Sequence, residues 1–202
     1  MSVPKKLIKY LDREKVPYEI VEHKIAHTSP DLALTLRINP KQVVKTVVVK
    51  INGKVPILSL IPANKRLSED KLGNAVYNAI LDMRGKMARL NKAQHVVPSE
   101  WNFPIQDLKG KKFRVEIVGK RWINEKLLGK PGATPPFGRL MRLPTFMDKS
   151  FLKENFLILN SGDYRVSIKM NTEDFVELER PLSGCISFIG KTQLKPNTTA
   201  KR

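Results

Sequence analysis

The 202-residue sequence predicts a mixed α/β (α+β) fold: a largely antiparallel, twisted sheet or partial barrel with helices around it. Three observations carry this expectation. The β-branched runs "VVKTVVVKI" and "VPILSLI" flank "NGK", an Asn-Gly hairpin turn. Apolar residues at helical spacing bracket that hairpin, with Leu32, Ala33 and Leu36 before it and Leu72, Ala75, Val76, Ala79 and Ile80 after it. Further along, "LPTFMD", "FLILN" and "YRVSIKM" read as three more strands.

The elements follow in order. Val3, Leu7, Ile8 and Leu11 share a helical face, with Ser2 placed to cap the helix and Pro17 closing it. "YEIVEH" reads as a short strand. In "HTSPDLALTLRI", Ser29 is the expected N-cap and Pro30 suits the first helical turn, while Asn39-Pro40 ends the helix. After the hairpin, Ser68 caps the next helix. In "KGKKFRVEIVGKRW" the alternation of Phe113, Val115 and Ile117 predicts a strand bounded by Gly110 and Gly119. "NTEDFVEL" closes the series as a short helix capped by Asn171 or Thr172. The organisation expected is one domain over residues 1–186, with a basic insertion at about 98–128, and a flexible tail over 187–202.

Composition narrows the class of function. Lys and Arg number 37 against 19 Asp and Glu, a net charge of +18, which favours a polyanionic partner, nucleic acid being the usual one. The single Cys185 excludes an intramolecular disulfide, and its apolar setting "CISFI" reads as buried and inert. The N-terminus lacks the continuous apolar stretch of a secretory signal, and no apolar run is long enough to span a bilayer, so a cytoplasmic protein without membrane contact is expected.

Catalytic signatures of the common kinds are missing. His23, His27 and His95 form no metal-ligand spacing with Cys185 or a carboxylate pair, and no phosphate-binding glycine loop or nucleophile elbow is found. No metal or cofactor is expected. One residue breaks its pattern: strand alternation places Lys45 on a face with Val43, Val47, Val49 and Ile51. Either the lysine snorkels from an exposed edge, or it is held at a cleft mouth as a fixed positive charge. By themselves Asp148 in "FMDKSF" reads as a turn or capping residue, "NSGDY" as a hairpin loop, and "GATPPFG" as a stiff connection.

Taken together, "EHKIAHTSPDLA", "VVKTVVVKINGK", "IPANKRLSEDKL", "GATPPFG", "PTFMDKSF" and "ILNSGDYRVSIKM" resemble, in that order, the YbaK and prolyl-tRNA-synthetase-associated domain family of aminoacyl-tRNA deacylases. The resemblance spans about residues 5 to 97 and 129 to 178. It implies a hydrolase that removes the amino acid from mischarged tRNA in trans, without a covalent intermediate. Its partner would be the acceptor end of tRNA rather than DNA, with an aminoacyl-tRNA synthetase as a further one. By the same resemblance Lys45 contacts the terminal adenosine and, with Gly132 and Gly162, belongs to the catalytic set. Thr28, Thr134, Pro135, Pro136, Gly138, Asp148, Ser161 and Tyr164 then line the pocket. Many relatives carry a histidine where this chain has Tyr164. The basic insertion is longer than the family's usual connection. Its Lys109, Lys111, Lys112, Arg114, Lys120 and Arg121 are candidates to meet phosphates, and Trp101 or Trp122 either stacks on a base or packs on the domain.

Overall fold

The structure is a computed structural model that describes residues 3–89 and 113–190, with side chains through Asp82 in the first span. Helix α1 (Lys5–Glu14) turns Leu7, Tyr10 and Leu11 into the core. Its N-cap position is held by Pro4, and Ser2, the expected cap, lies outside the described residues. Strand β1 (Glu19–Glu22) leads to α2 (Ser29–Leu36), whose cap is Thr28 and not Ser29. The Thr28 hydroxyl accepts from the Asp31 N–H at 3.2 Å, whereas Ser29 is buried and donates to the Val44 carbonyl at 3.3 Å. One residue further in, the serine has a tertiary partner that competes with capping.

The hairpin forms as expected. β2 (Val44–Ile51) pairs antiparallel with β3 (Val55–Pro62), and Asn52 and Gly53 both take positive φ, 51° and 71°, as a type I′ turn requires. Strand β4 (Arg66–Leu67) precedes α3 (Glu69–Arg89), where Ser68 accepts from the Lys71 N–H. Beyond residues 90–112 come β5 (Val115–Ile117), α4 (Lys120–Lys126) and α5 (Gly138–Met141). Then follow β6 (Thr145–Asp148), a 3-10 turn (Lys149–Lys153), β7 (Phe156–Asn160) and β8 (Val166–Asn171). Helix α6 (Thr172–Glu179), capped by the Asn171 side chain, leads to β9 (Leu182–Gly184) and β10 (Ser187–Phe188).

Five strands form one sheet in the order β5-β2-β3-β6-β9, with β6 parallel to β3 and to β9 and the other pairs antiparallel. A second sheet, β1-β8-β7, is antiparallel throughout. A parallel bridge from Val43 to Ile158 joins the two without closing a barrel among the described residues. Strand β2 lies between two cores. Val44 and Val48 point to the cluster beneath α1 and α6, and Val49 and Ile51 to the cluster beneath α3.

Cys185 differs from expectation: it is exposed. Cys185 lies in the two-residue link between β9 and β10, where its neighbour Ile186 takes the core position at 0% exposure. Ordered structure also runs past the expected boundary at 186, because Ser187 and Phe188 pair with Leu67 and Arg66.

The first core encloses a carboxylate. Glu179, 3% exposed, accepts from the Tyr10 hydroxyl at 2.8 Å and from the Arg139 N–H at 3.0 Å. Burial lifts its pKa from the ordinary 4.5 to about 7 despite these bonds. The folded chain therefore binds more protons than the unfolded one between those values, and stability falls as pH rises through that window, by about 3 kcal/mol in total. Glu179→Gln, which keeps a carbonyl acceptor and can donate to the Tyr10 oxygen, is expected to remove most of this slope. Urea unfolding at pH 5, 6 and 7.5 measures it, and an unchanged slope in the variant would show that the proton resides elsewhere.

Candidate functional site

Two groups of residues meet at the start of β2. In the first, Lys45 and Asp148 occupy one face of the large sheet. Lys45 pairs with Ile61 across β2 and β3, and β6 lies beside β3 with Met147 opposite Leu60, so Asp148 falls in the same lateral row. Two strand spacings put their backbones about 10 Å apart.

Lys65 links them. Its carbonyl accepts from the Lys45 ammonium, and its own ammonium donates to Ser150 Oγ at 3.1 Å and lies 3.6 Å from Asp148. Burial, and then the nearby Arg66, lowers the Lys45 pKa. A lysine ammonium has three N–H donors, and the Lys65 carbonyl engages one of them. The snorkelling reading of Lys45 therefore gives way to a tethered, half-buried cation.

Asp148 is 3% exposed and heavily bonded. One carboxylate oxygen accepts from the Ser150 N–H (3.0 Å) and hydroxyl, and the other from the Ile186 N–H (3.3 Å) and the Ser187 hydroxyl. Burial pushes its pKa up, but the bonds from Ser150 and Ser187 outweigh it, and the net direction is down. The aspartate thus both caps the 3-10 turn, as its local sequence suggests, and anchors β10 beside the Lys45 face.

The second group is a pair of loops pressed backbone to backbone. Gly162 (φ 104°) in "NSGDY" faces Gly129, where an added Cβ would come within 2.5 Å of the Gly162 Cα. Gly132 (φ 89°) lies under the chain before α2, so that an added Cβ would meet the His27 carbonyl oxygen at 2.5 Å. Tyr164 braces the same junction. Its hydroxyl donates to the Pro131 carbonyl at 2.8 Å, and its ring meets the His27 ring edge-on at 4.7 Å.

From Ala133 to Gly138 the loop is buried, Thr134, Pro135 and Pro136 included, so "GATPPFG" is packed into the molecule past its exposed first glycine. Two hydroxyls of the set are committed to the backbone: Ser161 donates to the Val166 carbonyl at 2.6 Å, and Thr134 to the Lys130 carbonyl at 3.5 Å. Thr28 is exposed at the α2 cap, beside His27.

The groups join at the Val44 carbonyl. It accepts from Ser29 at 3.3 Å and from the Asn160 amide at 3.5 Å, which ties the residues after Thr28 and before Ser161 to the residue preceding Lys45.

The candidate phosphate contacts are placed apart. Arg114 sits by the hairpin turn, donating its N–H to Asn52 Oδ1, about 20 Å along β2 from Lys45. It pairs with Glu116 at 2.8 Å, and Arg121 pairs with Glu125 at 2.9 Å, while Lys120 is exposed on α4. Trp122 packs half-buried against the first core with Lys50 over its ring, and so belongs to the domain. Lys109, Lys111, Lys112 and Trp101 lie outside the described residues.

Sequence reasoning missed Lys65, Gly129 and His27 as members of the site. The repeated Gly spacing around Pro131 was the available sign for Gly129. Nothing local marks Lys65, whose role depends on β3 and β6 lying side by side.

Comparison with known proteins agrees with the motifs. Residues 23–98 match the model of the aminoacyl-tRNA editing domain, so the resemblance read from the sequence holds over the segment that carries Lys45 and Lys65. No curated protein matches at the sequence level. Among solved structures, the hypothetical protein APE2540 is 14% identical with a TM-score of 0.66, covering 91% of this chain and 100% of its own. A candidate trans-editing enzyme for prolyl tRNA synthetase is also 14% identical, with a TM-score of 0.65 and coverages of 93% and 98%. A candidate signal transduction protein from Marinobacter aquaeolei VT8 (12% identity, TM-score 0.54) is covered over 31% of its length by 92% of this chain. At these identities the likeness is one of fold.

The glycine geometry gives a direct test. Gly132→Ala is expected to lower stability by about 2 kcal/mol or more, from positive φ and the clash with a backbone oxygen. Gly119→Ala, at a position with open space around it, should cost under about 1 kcal/mol. Paired thermal melts decide, and equal melting temperatures would contradict the close packing at His27.

Proposed function

We propose that the chain is a free-standing aminoacyl-tRNA deacylase that hydrolyses the ester of mischarged tRNA in trans. The tethered Lys45 ammonium carries this reading, together with the editing-domain match over residues 23–98 that includes it. An aminoacyl ester is already activated, so hydrolysis requires mainly that ester and water be held in place and that the developing oxyanion be met by donors.

Each part of the site has a role in that scheme. Lys45 holds the terminal adenosine by charge and hydrogen bonding, with its own position set by the Lys65 carbonyl. The Gly132 and Gly162 loops admit the aminoacyl group close to the backbone, where N–H groups stabilise the oxyanion. Ser161 and Thr134 donate to carbonyls and are not aimed as nucleophiles, which fits direct attack by water over an acyl-enzyme. Thr28, Pro135, Pro136, Gly138 and Asp148 shape or brace the wall, and side-chain selectivity follows from its volume. Tyr164, fixed to Pro131, closes one side of the pocket. The acceptor end of tRNA is the substrate element in contact, and a synthetase is the natural source of the mischarged species. Among the described residues no helix is long and apolar enough to cross a membrane.

Incubation with alanyl-, seryl-, prolyl- and cysteinyl-tRNA, each correctly and incorrectly charged, tests the reading. At least one mischarged species should lose its amino acid, and Lys45→Ala and Lys45→Met should each slow this about 100-fold with the fold intact. No deacylation of any species, with tight salt-sensitive RNA binding retained, would instead identify a non-catalytic RNA-binding module. Full activity in Lys45→Ala would sink the mechanism.

A further inference from the structure

A groove of about 690 Å³ runs between α1, the end of α4 and α5. Lys6, Arg13, Lys126, Arg139 and Arg142 line it, with Tyr10 on its floor. Glu125 is the acidic residue of the lining, and it is paired with Arg121 at 2.9 Å. Five cations on three separate elements thus face one concave channel, and the candidate site just described uses none of them.

The floor is fixed. Tyr10 donates to the buried Glu179, the Arg139 N–H does the same, and the Arg139 guanidinium donates to the Leu178 carbonyl at 2.7 Å. Arg13 lies over the Tyr10 ring at 5.6 Å and is paired with Glu14 at 2.7 Å, which leaves Lys6, Lys126 and Arg142 as the cations the test removes. Lys6, Lys126 and Arg142 are exposed.

Two of the lining residues adjoin the glycine loops along the chain. Arg139 directly follows Gly138, the last residue of "GATPPFG". Lys6 lies two residues beyond Pro4, whose ring is so close to Gly162 that an added Cβ there would meet it at 3.2 Å. A polyanion seated in the groove would thus lie one residue from the end of "GATPPFG" at Arg139 and two residues from Pro4 at Lys6.

We propose that this groove seats the sugar–phosphate backbone of the tRNA acceptor arm, behind the aminoacylated end. The inference rests on the deacylase reading for the identity of the RNA, and it adds a second binding surface. Repeating phosphates suit cations distributed along a channel, and each neutralised phosphate releases a counterion. A membrane surface suits it less well, because α1 spends its apolar residues Leu7, Tyr10 and Leu11 on the core. The α4 wall belongs to the basic insertion, which gives that segment a function even though Arg114 and Arg121 are paired with carboxylates.

The test compares the triple variant Lys6→Gln, Lys126→Gln, Arg142→Gln with a control triple that removes equal charge elsewhere, Lys41→Gln, Lys71→Gln, Lys153→Gln. Binding of uncharged tRNA is measured by fluorescence anisotropy across salt concentrations, so the readout does not require turnover. The groove variant should bind about tenfold or more weakly at 0.1 M salt, and its slope of log K against log salt should fall by about 2 relative to wild type. The control should move far less. Hydrolysis of a short aminoacyl-adenosine substrate, which cannot reach the groove, should be equal in all three proteins. Equal weakening by the two triples would reduce the effect to bulk charge and overturn the proposal, as would an unchanged slope in the groove variant. If the protein hydrolyses no ester at all, the deacylase reading fails while the binding comparison still decides on the groove.

Discussion

Everything at the site follows from one constraint: β2 packs against a core on each of its two faces. Val44 and Val48 are committed to one core and Val49 and Ile51 to the other, and the residues between them, Lys45 included, are half-buried, so neither side of the strand is fully open to water. A lysine within it needs a polar partner or must lose its charge. The Lys65 carbonyl supplies that partner for Lys45, and Lys65 is in turn held by Ser150 and Asp148. The relay extends to β10 through Ser187, so a two-residue strand near the end of the described chain helps place a cation near its first third. A fixed ammonium next to low-dielectric walls acts more strongly on a ligand than a mobile surface lysine does.

The loops impose a complementary constraint. Gly129, Gly132 and Gly162 allow three stretches of backbone to approach more closely than any side chain would permit, and the buried prolines between them restrict motion. Neighbouring polar side chains are already spent: Ser161, Thr134 and Tyr164 all donate to carbonyls within the junction. What such a junction presents is backbone and shape, which is the equipment needed to orient an activated ester and little else. This is consistent with a chemistry that leaves no catalytic triad in the sequence.

Much of this was legible in the residues. The Asn-Gly hairpin, the Ser68 and Asn171 caps and the strands from 145 to 171 all carried local signals that tertiary context left standing. Lys45 stood out because it interrupted a valine stripe, and strand alternation assigned its face correctly. Other features lay beyond local reading. Strands β4, β9 and β10 have two or three residues each, too few to show a period. Helix α4 presents only Trp122 and Ile123 to the core and so has no amphipathic pattern. Ser29 looked like a cap because its alternative partner, the Val44 carbonyl, is 15 residues away. Cys185 looked buried because the apolar residues after it hid the short link between β9 and β10 in which it sits. The partnership of Lys45 with Lys65 depends on the register of neighbouring strands, which no single stretch encodes.

The central claim is that the Lys45 relay and the glycine loops form one site for an aminoacylated adenosine. A crystal structure with a non-hydrolysable 3′-aminoacylamino-adenosine tests it most directly. The account predicts the acyl carbonyl against the backbone of the Gly132 and Gly162 loops and the Lys45 ammonium within about 3 Å of the nucleoside. An analogue seated elsewhere, or bound against the loops with Lys45 turned away from it, would contradict the account.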